Sequence, residues 1–105
     1  MREVDLMYIL HTCKRIGKTG LINLPKRWRV KLGFDCGELV EISLRDNAIW
    51  IYHSNRNNTE NHRYISSNGN ISIPSEIRKL LKINPETKVC VYVDTEENSF
   101  VLRPE

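Results

Sequence analysis

Residues 20–44 and residues 69–93 align without a gap at a constant offset of 49. Gly20 falls on Gly69, Ile22 on Ile71, Leu24 on Ile73, Pro25 on Pro74, Trp28 on Ile77, Arg29 on Arg78, Leu32 on Leu81 and Val40 on Val89. In a chain of 105 residues neither unit is long enough to bury a self-sufficient core. The repeat therefore predicts two short, intertwined units around one core and excludes a large multidomain enzyme. The boundaries it implies are an amino-terminal extension over residues 1–12, a first unit over 13–53, a polar linker over 54–62 and a second unit over 63–105.

Each unit reads the same way. A turn ends at Gly20 or Gly69, where glycine adopts positive φ without steric cost. Ile22 and Leu24 then alternate with Asn23, and Ile71 and Ile73 alternate with Ser72, which predicts short strands with one apolar face. Pro25 and Pro74 suit the first turn of a helix and hold the preceding residue extended. The helices that follow are brief. Trp28 and Leu32 in one, and Ile77, Leu80 and Leu81 in the other, are spaced to face the core, while Lys26, Arg27 and Arg29 or Glu76, Arg78 and Lys79 are left to face water. Beyond each helix lies a hairpin: residues 39–44 and 48–52 flank a turn at Arg45, Asp46 and Asn47, and residues 88–93 and 99–102 flank a longer one.

Charge is distributed unevenly along this pattern. The chain carries 16 Lys and Arg against 13 Asp and Glu, a net +3, and all of the excess lies in residues 1–54. Lys14, Arg15, Lys18, Lys26, Arg27, Arg29 and Lys31 follow one another with no acidic residue among them, the local condition for an electropositive footprint.

Other chemistries find little footing. The apolar stretch near the amino terminus is short and interrupted by Glu3, Asp5 and His11, so neither a signal peptide nor a membrane span is expected. Cys13, Cys36 and Cys90 are odd in number and lack metal-type spacing; three reduced thiols are expected, with no zinc centre and no metal. His11 and Cys13 have no identifiable orienting group for nucleophilic catalysis, and no glycine-rich phosphate loop occurs. The chain is read as a non-enzyme without a cofactor. Trp28, Trp50 and Phe34 are assigned to the core rather than to base stacking, while Tyr64 is a less constrained residue able to reach a phosphate.

A turn Gly, an alternating strand, a Pro, a short basic helix and a hairpin together resemble the AbrB/MazE/SpoVT DNA-binding domain. The second copy, residues 69–83, is the cleaner match, and residues 24–33 carry the first; together the two copies cover nearly everything after Cys13. The resemblance implies a mostly β protein, a swapped-hairpin β-barrel with short helices built from two tandem repeats, acting as a bacterial-type transcriptional regulator on double-stranded DNA in the cytoplasm and nucleoid. The barrel closes either within one chain or between chains, so a homo-oligomer stays open. The DNA-binding residues it implies, with the basic run, are Lys14, Arg15, Lys18, Lys26, Arg27 and Arg29 in the first copy and Arg63, Arg78 and Lys79 in the second; Asn70 is a secondary candidate because an amide suits adenine or phosphate contacts. Replacing Arg29 and Arg78 by Ala is expected to weaken binding and leave folding intact. Where the family often has an Arg after the turn Gly, this chain has Leu21 and Asn70, so base preference does not transfer. The alternative is an antitoxin-like module binding a protein toxin, disfavoured because residues 100–105 read as a final strand rather than a toxin-embracing tail.

Overall fold

Among the described residues there are two helices and eight strands. In chain order they are β1 (Tyr8–Arg15), β2 (Leu21–Asn23), α1 (Lys26–Leu32), β3 (Leu39–Arg45), β4 (Ala48–His53), β5 (His62–Tyr64), β6 (Asn70–Ser72), α2 (Ser75–Leu80), β7 (Lys88–Asp94) and β8 (Ser99–Pro104). Both helices and six of the strands lie where alternation and proline placement predict them, and β1 and β5 are additional. This computed structural model describes residues 8–54 and 61–105; most of the expected extension over 1–12 and of the linker over 54–62 lies outside the described residues. Strand β1 runs across the boundary drawn at residue 12.

The strands make a six-stranded sheet, ordered β1-β7-β8-β4-β3-β5, and a two-stranded ribbon, β2-β6. Every pairing is antiparallel. The class is mostly β, as expected, but the two sheets are not closed into a barrel. The reason is strand length: β2 and β6 are three residues each and, among the described residues, pair only with one another. The outer strands exchange partners, with β1 lying along β7 and β5 along β3.

Core and surface follow from the pleat. Leu24, Val40, Ile42, Ile49, Ile51, Ile71, Ile73, Phe100 and Leu102 belong to one buried cluster between the ribbon and one face of the large sheet. Alternate residues of the central strands point the other way: Ala48, Trp50 and Val101 form a second cluster flanked by Tyr52 and Tyr92. There the Arg45 guanidinium lies 3.8 Å from the centroid of the Trp50 ring, and burial raises the Tyr52 hydroxyl above its ordinary pKa while Arg45 acts in the opposite direction. Phe34 and Trp50 are buried as expected, whereas Trp28 is only partly so. Leu80 departs from the expected core face: it is 69% exposed, because helix α2 ends at that residue and Ile77 supplies its buried contact.

Turn chemistry explains the connections. Asp46 and Asn47 both have positive φ, 55° and 59°, the conformation that joins β3 to β4 in a two-residue hairpin. In the longer β7–β8 turn the Asp94 carboxylate accepts the amides of Glu96 and Glu97. Both helices end through a left-handed residue, Gly33 after α1 and Lys82 after α2. Lysine pays a steric penalty there that glycine does not. Lys82→Gly is accordingly expected to stabilise the protein by about 1 kcal/mol, read as a higher urea midpoint at unchanged slope.

Candidate nucleic-acid interface

The outward face of the ribbon is the natural centre of the expected site. Its inward residues, Ile22 and Ile71, pair with each other and are buried; Leu21, Asn23, Asn70 and Ser72 therefore point away from the core. Leu21 stands opposite Ser72 and Asn23 opposite Asn70. At the second pair the Asn23 Nδ2 donates to Asn70 Oδ1 at 2.8 Å and to the Asn68 carbonyl at 3.1 Å. Beside the ribbon, Thr12, Lys14, Ile22, Asn23, Pro25 and Val91 line a concavity of about 140 Å³.

Around this face the cations divide into two kinds. Lys14, Lys18, Lys26, Arg27 and Lys79 are exposed and make no ion pair with any described residue. Arg27 and Lys31 flank the Trp28 ring at 5.8 and 5.6 Å from its centroid, a contact in which the ring packs against the cations and leaves their charge uncompensated. Arg15 lies 3.5 Å from the Glu86 carboxylate, but both groups are well exposed, so their attraction is strongly screened.

Arg29 and Arg78 are the other kind, and here the structure revises the expectation that they simply face water. Arg29 Nε donates to the Leu24 carbonyl at 2.8 Å and Arg78 Nε donates to the Ile73 carbonyl at 3.1 Å. Both are half-buried. The Arg29 guanidinium covers Gly69, and that of Arg78 covers Gly20, so closely that a Cβ on either glycine would stand 2.7 Å from a guanidinium nitrogen. Each arginine thus fastens its own helix to the turn of the other unit. Arg63 is half-buried as well and donates through Nη1 to the His62 carbonyl.

No known family, curated protein or solved structure matches this chain.

Of the ten residues expected to meet DNA, Lys14 and Asn70 adjoin the ribbon face directly. Lys26, Arg27 and Lys79 project from the two helices and Lys18 from the turn before β2. Thr12, in the concavity, was not singled out by sequence, since a lone threonine in a strand carries no signal of its own. Nor was the neighbour of Arg29: its Nη1 donates to the Sγ of exposed Cys36 at 3.1 Å.

The cysteines require a correction. Cys13 and Cys90 are joined by a disulfide instead of being free thiols. They lie opposite each other in the β1–β7 ladder, a juxtaposition created by the exchange of edge strands. His53, at the end of β4, contacts Glu38 through Nδ1 at 2.6 Å and the Leu32 carbonyl through Nε2 at 3.0 Å, and stacks on Phe34 at 3.9 Å. These contacts tie the histidine into the fold.

Proposed function

We propose that this chain binds double-stranded DNA with the outer face of the β2–β6 ribbon, as a single-chain, two-unit relative of the swapped-hairpin arrangement. The observation that carries the reading is a pair of matching registers. At the middle of the ribbon Ile22 pairs with Ile71, the same position of the two aligned units. At the middle of the large sheet Trp50 pairs with Val101, again equivalent once the two extra residues of the second hairpin turn are included. An approximate two-fold axis through both pairs relates β1 to β5, β3 to β7 and β4 to β8, and turns the observed strand order into itself.

The ribbon's dimensions fit the ligand. Three residues at about 3.4 Å each give a ribbon roughly 10 Å long, and the major groove of B-DNA, about 12 Å wide, admits two antiparallel strands. Exposed cations on β1, the first turn and both helices are disposed to meet phosphates on either side, while Asn23 and Asn70 face the base edges.

Duplex binding should weaken steeply with salt, because each neutralised phosphate releases condensed counterions. For the pair Lys26→Ala and Arg27→Ala, which removes two exposed cations, affinity is expected to fall for every duplex sequence. The slope of log K against log salt should become shallower by about 1.8 if both side chains meet phosphate. Fluorescence anisotropy across a salt series measures both. A folded protein with no affinity for a broad duplex panel at low salt overturns the reading.

A further inference from the structure

The approximate two-fold axis relates two surfaces that are chemically unlike. Lys18 stands where the other unit has Ser67, Lys26 where it has Ser75, and Arg27 where it has Glu76. Over the equivalent windows 14–31 and 63–80 the formal charges are +7 and +2. Helix α1 has no acidic residue in its first turn, whereas α2 has Glu76 there. The two ends of the ribbon differ as well. At one end Asn23 and Asn70 form an amide pair; at the other Leu21, 47% exposed, faces Ser72.

Resting on the duplex-binding reading above, we propose that the ligand is a non-palindromic DNA site, occupied by one chain in one fixed orientation. A symmetric dimer selects a palindrome because the local two-fold axis of the duplex coincides with its own. This chain keeps the axis in its backbone and breaks it in its side chains, so its two half-sites must differ. The ribbon is about 10 Å long and both of its ends enter one groove, so a single chain meets both half-sites.

The chemistry assigns each half. With the hydrogens of Asn23 Nδ2 given to Asn70 Oδ1 and the Asn68 carbonyl, the acceptor left on this outward-facing pair is Asn23 Oδ1 and the donor left is Asn70 Nδ2. That combination complements the acceptor N7 and donor N6 which adenine displays in the major groove. The Leu21 end offers an apolar contact, which suits a thymine methyl. Phosphates alongside α1 are gripped by charge, and those alongside α2 are held weakly.

Selection from a randomised duplex pool, followed by native mass measurement of the recovered complexes, tests this. Asymmetric selected sequences and one chain per duplex are the expected results. Asn70→Ala should lower affinity for the selected site by roughly 5- to 100-fold, relax the preference at one end only, and leave the salt slope unchanged. Ser75→Lys with Glu76→Arg, which copies α1 onto α2, should tighten binding to all duplexes and steepen the slope. A palindromic consensus or two chains per duplex overturns the asymmetric site while leaving duplex binding intact. Absence of binding by a folded protein at low salt overturns both.

Discussion

Reduction of the Cys13–Cys90 disulfide is expected to lower the stability of this protein by about 4 kcal/mol. The bond joins residues 77 positions apart, and a cross-link closing so long a loop removes much of the conformational freedom of the unfolded chain. Domains of this size are stable by only about 5–15 kcal/mol in total, so the loss is a large share. Its structural consequence is local first. Among the described residues strand β1 is an edge strand bonded to β7 alone, and without the disulfide its attachment rests on the ladder and its packing. Equilibrium denaturation of the protein with and without a dithiol reductant, with Cys13→Ser as the matched variant and Cys36→Ser in every sample to prevent disulfide exchange, gives the difference. Hydrogen exchange should quicken in β1 before it quickens in β4 and β8. Coincident denaturation curves would show that the cross-link contributes nothing.

The disulfide leaves no mark in the sequence. Spacing rules detect cysteines that are near in the chain or arranged in metal-type pairs, and Cys13 and Cys90 are neither. They meet because the first unit's leading strand pairs with the second unit's hairpin, and partner exchange between units leaves no local mark. What is legible is whatever the backbone dictates over a few residues. Gly20, Pro25 and the alternation of Ile22 and Leu24 are enough to place a turn, a short strand and a helix. The hairpin at Asp46 and Asn47 is equally local. Leu80 is misread because a six-residue helix has too few turns for periodicity to separate its faces. For the candidate site the exposed cations Lys18, Lys26 and Arg27 are visible as charges without partners nearby in sequence, whereas Lys79 follows Glu76 by three residues. The double role of Arg29 and Arg78 is not, since sequence shows the charge and not the carbonyl or glycine it covers.

Those two arginines support the second large effect. Each guanidinium makes a charge-assisted hydrogen bond to a backbone carbonyl, Leu24 for Arg29 and Ile73 for Arg78, on residues with no exposed surface. Such bonds contribute about 1.5–3 kcal/mol. The double variant Arg29→Ala, Arg78→Ala should therefore lose roughly 3–6 kcal/mol, the two sites adding because each fastens a different helix. Lysine should rescue neither, as it lacks the planar Nε–H fork that reaches the carbonyl while the rest of the group lies flat on glycine. A thermodynamic cycle isolates the second half of the clasp. Gly69→Ala places a methyl 2.7 Å from Arg29 Nη2 in a backbone with φ of 81°, so it combines backbone strain with displacement of the guanidinium. In an Arg29→Ala background only the strain, about 1–2 kcal/mol, should persist. Equal costs of Gly69→Ala in the two backgrounds would show that arginine and glycine are energetically independent. Because the arginine variants change the folded fraction, the exposed pair Lys26 and Arg27 is the cleaner probe of the surface proposed to bind DNA, since neither side chain hydrogen-bonds to another described residue.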